Sequence, residues 1–317
     1  MWSYIVRRLL YNVPVYLGII LVLMLALRVN DPVWARLGKS ASPEAYQAFK
    51  EQMGLAEPFW RQYLTFLGKV FAFDLSDESW EHTGVSVGGL LRVSFPPTLA
   101  ITVPALLLTS LISISVGLVS SFFRGRWLDR ALMFAAVLGM SVSFLVYIVF
   151  GQYWGAYALN EHIEGELFAV AGYEPGPGNW VTYCMLPVLI STIVAMGYDT
   201  RFYRAVMVEE CGRDYIVTAM AKGAPKRKIM FVHMLKNAMI PIITRIMITL
   251  PFLIMGSFLL EMYFNIPGMG RMLLQAITTA DFPVTQGFVA VFALVFILTN
   301  VLTDVLYALV DPRVRLA

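Results

Sequence analysis

Residues 209–241 read Glu-Glu-Cys-Gly-Arg-Asp-Tyr-Ile-Val-Thr-Ala-Met-Ala-Lys-Gly-Ala-Pro-Lys-Arg-Lys-Ile-Met-Phe-Val-His-Met-Leu-Lys-Asn-Ala-Met-Ile-Pro. The stretch is polar and basic, yet the residues on either side of it are apolar over lengths that suit a bilayer, from Pro175 to Tyr198 before it and from Asn237 to Leu260 after it, where Arg245 is the one charge beyond its start. A water-facing insertion between two spans places the chain among integral membrane proteins. Composition agrees: 58% of residues are hydrophobic and 14% charged, against about 45–50% and 25% in soluble domains.

Crossing a bilayer core takes roughly 20 helical residues. Four further runs meet that length: Leu9 to Leu27, Val93 to Phe123, Ala131 to Asn160 and Phe282 to Thr303. The expectation is an all-α integral membrane protein with six transmembrane helices. Backbone amides in hydrocarbon must bond within their own segment, so each run is read as a helix in spite of Pro14, Pro104, Pro187 and Pro251; in a bundle, neighbouring groups take up the carbonyls that proline frees. These prolines either kink the helices mechanically or serve as packing bends.

Charge assigns the sides. With both termini on one side, that side holds sixteen Lys and Arg and the other holds eight (Arg28, Arg36, Lys39, Lys50, Arg61, Lys69, Arg92 and Arg271). The positive-inside rule then puts both termini in the cytoplasm. A net charge of +3 gives no reason to invoke nucleic acid. Arg7 and Arg8 ahead of an apolar run resemble a signal peptide, but the run is long and Arg-Val-Asn-Asp after it offers no small-x-small cleavage site, so it is read as an uncleaved helix. Cys184 and Cys211 fall at different levels, and no disulfide or metal framework is expected.

Three regions follow: residues 1–29 with the first span, an outer loop at 30–92, and a five-helix core at 93–317 that includes the cytoplasmic loop 200–238. In the outer loop, Ser42-Pro43-Glu44 starts a helix that Gly54 stops, and a second short helix fits Glu57 to Phe73. Its aromatic face either lies on the membrane surface or packs against the outer ends of the bundle. Glu161, Glu164, Glu166 and Glu174 make an acidic turn expected to be solvated. Gly38-Lys39-Ser40 resembles the end of a P-loop, but Val33 stands where the leading Gly belongs, so it is not a nucleotide site.

Within the basic loop, the proline-free stretch from Glu209 to Lys222 is expected to be one helix ending at Gly223, with Pro225 opening a second that runs to about Asn237. Ala219, Ala221, Gly223 and Ala224 leave little bulk around the bend, and Lys222, Lys226, Arg227 and Lys228 surround it with charge for acids of a cytoplasmic protein or for anionic lipid. His233 reads as a packing or capping residue. Arg245 and Asp304 are expected at one depth near the inner edge, where they pair or snorkel. Glu261 either lines the path or sits at the interface.

The same stretch resembles the cytoplasmic EAA loop of ABC importer permeases of the dipeptide and oligopeptide family. The matching residues are Asp214-Tyr215, Thr218-Ala219-Met220-Ala221-Lys222-Gly223 and His233-Met234-Leu235-Lys236-Asn237-Ala238-Met239-Ile240-Pro241. Tyr4 to Leu10, Pro267-Gly268-Met269-Gly270-Arg271, Asp281 to Gly287, Asp304 to Tyr307 and Asp311-Pro312-Arg313 extend the likeness over nearly the whole chain. It departs at Asn30-Asp31-Pro32, where the family often has Pro-Gly-Asp-Pro, and over 156–180. The resemblance implies the type I importer permease architecture in a bacterial inner membrane. It also implies a homologous second permease subunit, two ABC ATPase subunits that carry ATP and Mg, and an extracytoplasmic solute-binding protein. This chain itself would bind no cofactor and be no enzyme. Glu209, Asp214, Tyr215, Thr218, Ala219, Ala221, Lys222, Gly223, His233, Asn237 and Pro241 would form the ATPase-coupling loop of a peptide importer.

The rival class is an ion- or proton-coupled secondary transporter or channel, which usually places an ionisable residue at mid-membrane; the six runs as bounded above hold no such carboxylate. A membrane-embedded enzyme would need a polar constellation at one depth, and Ser141 and Ser143 have no His or acid near them in sequence.

Overall fold

The computed structural model describes residues 2–29, 31–38, 41–254 and 258–310, with side chains over 6–29, 31–38, 41–250 and 258–306. Lys39, Ser40 and Asp311-Pro312-Arg313 lie outside the described residues. In chain order the helices are α1 (Trp2–Ala26), α2 (Pro32–Leu37), α3 (Pro43–Gln52), α4 (Phe59–Phe71), α5 (Val87–Phe122), α6 (Trp127–Ser141) and α7 (Phe144–Phe150). A π-helical turn, Gly151–Tyr157, leads from α7 into α8 (Ala158–Ile163). Then come α9 (Trp180–Cys211), α10 (Asp214–Ala221) and α11 (Lys226–Lys228), a second π-helical turn (Ile229–Met234), α12 (Leu235–Ile254), α13 (Phe258–Tyr263), α14 (Met269–Thr278) and α15 (Phe282–Val310).

Among the described residues, five helical stretches are long and apolar enough to cross a membrane: Val6–Ala26, Val87–Phe122, Trp180–Cys211, Lys226–Leu250 and Phe282–Leu306. The third expected span is not one rod. It breaks between α6 and α7 and turns through 90°, so the count reaches six only if both limbs are taken as one span. At the corner Val142 is extended, the backbone oxygen of Ser143 accepts from Val146 N, and the Tyr147 hydroxyl reaches back to donate to Gly139 O at 3.0 Å.

Helices α5 and α9 form the axis of the bundle and run in parallel: Ala100 lies beside Trp180, and Gly117 beside Tyr203 and Arg204. A Cβ on Gly117 would come within 3.0 Å of Arg204 N, and one on Gly197 within 2.8 Å of Ala136 O on α6. Small residues let backbones approach closely, which is how helices associate where lipid removes the hydrophobic drive. Tyr203, Met207 and Leu118 are buried in this seam.

The prolines leave the helices unbroken, with Pro14 inside α1, Pro96, Pro97 and Pro104 inside α5, and Pro187 inside α9. Pro104 has no N–H to offer Ala100 O four residues back; the Trp180 indole of α9 donates to that oxygen instead, at 2.9 Å. A neighbouring helix thus completes the ladder that the ring interrupts.

Three buried carboxylates fasten the loops to this frame. Asp129 accepts from Arg204 Nε and Nη2 at 2.7 Å each, from Gly125 N at 2.8 Å and from Ser120 Oγ at 2.5 Å, which locks the α5–α6 turn to α9. Glu261 accepts from Thr98 Oγ1 at 2.7 Å and Arg271 N at 2.9 Å, with its carboxyl carbon 2.3 Å from where a Cβ on Gly268 would stand. The Pro267-Gly268-Met269-Gly270-Arg271 run is therefore a cradle for that acid, and Glu261 holds α14 rather than sitting at an interface. Asp281 takes Ser79 Oγ at 2.5 Å and the backbone N–H groups of Trp80 and Glu81 at 3.2 Å, which pins residues 79–81 to the start of α15.

The segment 31–73 carries helices as expected from Ser42, whose Oγ accepts from Ala45 N at 3.2 Å, to Phe71. The short α2 was not foreseen; Asp31 caps it by accepting from Val33 N at 2.9 Å and Trp34 N at 3.4 Å. Leu67 and Tyr63 of α4 pack on α1 and α15, and the Tyr63 hydroxyl donates to Leu17 O at 2.9 Å. The aromatic face of α4 thus packs on the bundle, while Trp60 and Phe71 stay exposed. The acidic turn is also more than a solvated loop, because Gly172 N donates to Phe264 O at 2.7 Å and Ala169 N to Thr182 O at 2.8 Å.

Replacing Trp180 with Phe keeps the ring and strands Ala100 O, and is expected to cost about 1–3 kcal/mol. Asp281→Ala removes the carboxylate that Ser79 Oγ and the Trp80, Glu81 and Val284 N–H groups bond and is expected to cost at least as much. Gly197→Val overpacks the α6–α9 crossing by about 1–3 kcal/mol. Thermal unfolding of the purified variants in detergent measures all three.

Candidate functional site

The basic stretch lies at the end of the bundle opposite residues 31–92, since α5 begins beside Leu75 and ends beside Tyr203. Its first arm is not the single helix expected from Glu209 to Lys222. Helix α9 stops at Cys211, Gly212 turns with its N–H on Glu209 O at 3.1 Å, and α10 starts afresh at Asp214. Side chains bridge this turn: Arg213 pairs with Glu209 at 2.6 Å, and the Tyr215 hydroxyl donates to Glu210. Burial, and then that hydrogen bond, push the Tyr215 phenol up to about 12, so it stays a donor at any physiological pH. Asp214 occupies the first turn of α10, where the helix dipole favours an acid.

The second bend follows the sequence reading. Gly223 has φ +73°, Ala224 N donates to Ala219 O at 3.1 Å and Gly223 N to Met220 O at 2.9 Å. This 6→1 and 5→2 pair ends a helix on a left-handed residue, which glycine adopts without a Cβ penalty. Pro225 then precedes α11, and the π-helical turn at Ile229–Met234 carries the chain into α12. Thr218 and Asn237 bond back to their own helices, at Asp214 O (2.9 Å) and His233 O (2.7 Å). His233 therefore supplies a carbonyl in a helix, and Pro241 sits inside α12.

The elbow has two faces. Ile216 of α10 is buried on Leu118, Tyr203, Met207, Met234, Ala238 and Ile242, which come from α5, α9, the π-helical turn and α12, and Ala219 is buried as well. Ala219 is thus part of the inner packing rather than of an open small-residue surface. Outward, Val217 is 58% and Met220 54% exposed, with Thr218, Ala221, Lys222 and Gly223 also exposed. Lys226, Arg227 and Lys228 stand exposed across the bend, with the Lys226 ammonium 5.5 Å from the Phe122 ring. An apolar patch ringed by cations is the surface a protein partner would bury. The sequence reading noted the cations and missed Val217 and Met220; their i, i+3 spacing on a helix whose Ile216 and Ala219 point inward was the available signal.

Arg245 and Asp304 do not pair with each other. Arg245 on α12 binds Asp199 on α9 with Nε and Nη2, each 2.9 Å from Oδ1. Asp304 on α15 pairs with Arg8 Nε of α1 at 2.7 Å. Asp199 lies within the spanning helix α9, one residue past the boundary drawn from hydropathy, so the spans do contain a carboxylate. It lines a cavity of about 440 Å³ between α5, α7, α9, α12 and α13, together with Thr102, Thr109, Ser191 and Thr249.

Comparison with known proteins places these features. The family model for binding-protein-dependent transport system inner membrane components matches residues 110–316, and its N-terminal companion matches residues 1–95. A probable peptide ABC transporter permease protein of Sinorhizobium fredii is 32% identical over 99% of this chain and 100% of its own length. A putative peptide transport system permease protein of Brucella abortus is 33% identical over 99% of each. The dipeptide transport system permease protein of Escherichia coli K12 is 29% identical over 99% of each. These matches decide against the ion-coupled and enzymatic alternatives: the chain belongs to the family of binding-protein-dependent transport system inner membrane components, and is the permease subunit of an ABC importer.

Proposed function

We propose that this permease carries di- or oligopeptides across a bacterial inner membrane, paired with a second, homologous permease, two ATPase subunits and an extracytoplasmic binding protein. The names of its relatives support the solute class. In this reading the bent pair α6–α8 counts as the sixth span, both termini are cytoplasmic, and residues 30–92 face the binding protein. The sixteen-to-eight division of Lys and Arg supports that orientation.

The observation that carries the mechanism is the two-faced elbow. Val217 and Met220 dock in a groove of an ATPase subunit, and Lys222, Lys226, Arg227 and Lys228 meet acids on its rim. Because Ile216 is packed on α5, α9 and α12, a displacement of the docked face moves those helices with it. ATP-driven closure of the ATPases then rocks the bundle between two packed states, opening the path to each side in turn. Moving such an equilibrium from 1:99 to 99:1 takes about 5.5 kcal/mol of differential affinity.

Met220→Asp places a charge in the docked patch without touching the inner packing. A buried apolar side chain of this size is worth about 1.5–3 kcal/mol, so co-purification of the ATPase subunits is expected to weaken about tenfold or more while membrane insertion is unchanged; Met220→Leu is expected to bind normally. Normal ATPase association in Met220→Asp would remove the elbow from the coupling role. Alkaline phosphatase fused to the carboxyl end is expected to be inactive in intact cells, as a cytoplasmic terminus requires.

A further inference from the structure

The antiparallel helices α1 and α15 carry a polar notch on their flank. It holds about 360 Å³ and is lined by Arg8, Tyr11, Asn12, Asn300, Thr303 and Asp304. On each helix the three residues fall at i, i+3 and i+4, which is one face. Both helices are otherwise apolar enough to span a membrane. The notch lies at the end of the bundle away from residues 31–92, since α1 leads from Arg8 toward that segment and α15 starts where Asp281 holds residues 79–81. Ionisable side chains within spans ordinarily face the bundle interior or a water-filled cavity. Here Tyr11 is 70% exposed and the Arg8 side chain 46%, and Asn300 is exposed as well.

The groups on this face are incompletely spent. Arg8 Nε stands 2.7 Å from Asp304 Oδ2, but its N–H is turned off that line, and Oδ2, though buried, accepts no hydrogen bond. Among the described residues no donor reaches Asp304 Oδ1, and no acceptor takes the N–H groups on the two terminal nitrogens of Arg8. The Asn12 amide donates to Arg8 O at 2.8 Å and the Thr303 hydroxyl to Thr299 O at 2.7 Å. The Tyr11 hydroxyl and the Asn300 carboxamide have no hydrogen bond among the described residues. On a flank that faces lipid, water is scarce as a partner for such groups, and near a helix end the neighbouring polar matter is the headgroup layer.

A cation and an anion in contact suit a ligand whose own charges are equally close. In phosphatidylethanolamine two methylenes join the phosphate to the ammonium, so both fit beside one ion pair, the phosphate on the guanidinium and the ammonium on the carboxylate. The volume is within the range of small-ligand sites, about 300–1,000 Å³. Anionic headgroups gather at basic pockets, whereas Asp304 offsets Arg8 here and Arg7 is not on the lining. A choline headgroup has no N–H to give a carboxylate, and charge-assisted hydrogen bonds are the strong ones. We propose that the α1–α15 notch binds the headgroup of one phosphatidylethanolamine molecule, Arg8 taking the phosphate and Asp304 the ammonium, with Tyr11 and Asn300 donating to the remaining phosphate oxygens. The lipid clasps the first helix to the last along their exposed flank. The site is independent of which solute the transporter carries.

The test is native mass spectrometry of the assembled transporter in detergent, titrated with dioleoyl phosphatidylethanolamine, phosphatidylcholine or phosphatidylglycerol. The tightest-bound lipid on wild type is expected to be phosphatidylethanolamine, favoured about tenfold over each of the others. Asp304→Asn is expected to shrink its preference over phosphatidylcholine to less than twofold, because the group that distinguishes N–H from N-methyl is gone. Arg8→Gln is expected to weaken both lipids about tenfold. A purely structural ion pair would leave the preference between headgroups where it was. Equal binding of the three lipids by wild type overturns the proposal, as does a preference for phosphatidylglycerol, which assigns the notch to anionic lipid. Absence of any tight lipid overturns it too, and points to a notch covered by a protein neighbour. An undiminished preference in Asp304→Asn likewise overturns it. Should Asp304→Asn fail to assemble, Asn300→Leu carries the test, since it narrows the notch and leaves the ion pair: loss of the tight phosphatidylethanolamine supports the site, and wild-type binding overturns it.

Discussion

A carboxylate taken out of water must be met by donors or it neutralises, and this fold meets three of them with loop backbone. Asp129, Glu261 and Asp281 are each under 4% exposed; Asp129 collects donors from the α5–α6 turn and from α9, Glu261 from the start of α14 and from α5, and Asp281 from the loop at residues 79–81 and from its own helix. The arrangement works in both directions. The turn gives the acid its hydrogen bonds, and the acid fixes where the turn can lie. Helices with apolar surfaces slide easily past one another in lipid, because neither gains by hiding from tails as apolar as itself; polar corners of this kind supply the positional restraint that hydrophobicity does not.

The restraint is distributed unevenly, and the distribution suits a transporter. Asp129 with Arg204 stiffens the region next to the elbow, while Glu261 and Asp281 stiffen the opposite end. Between them the wall of the cavity is mostly hydroxyls and apolar side chains, with Asp199, the partner of Arg245, on the lining. Rigid ends and a sparsely bonded middle are what a bundle needs if it is to move between two packed states as a few solid pieces.

The sequence carries much of this and conceals the rest for physical reasons. Hydropathy finds the apolar runs because each is long, and Gly223 with Pro225 marks the second bend because one tolerates a left-handed backbone and the other starts a helix. The corner at Ser141-Val142-Ser143 is hidden, since those three residues include neither Gly nor Pro and an apolar run does not record a 90° turn. The break at Gly212 had a signal in the glycine itself, outweighed by the absence of proline. Arg245 and Asp304 illustrate a different limit: charge and distance from a span's end give depth, but partner choice depends on which way a helix is rotated, and Asp199 and Arg8 stand at the required angles. Asp199 itself was lost because a span was ended at its first charge, although its four-residue spacing from Ser191 and Ala195 continues one face.

The first helix has a history that the finished structure preserves. Its spanning neighbour is α15, reached through the Tyr16 hydroxyl and Ala290 O, 274 residues apart, and through Arg8 and Asp304. At about 5–20 residues per second of synthesis, α1 leaves the ribosome roughly a quarter to a full minute before that partner exists. During that interval its tyrosine and arginine must be tolerated by lipid alone, and docking of the last helix becomes the event that closes the molecule.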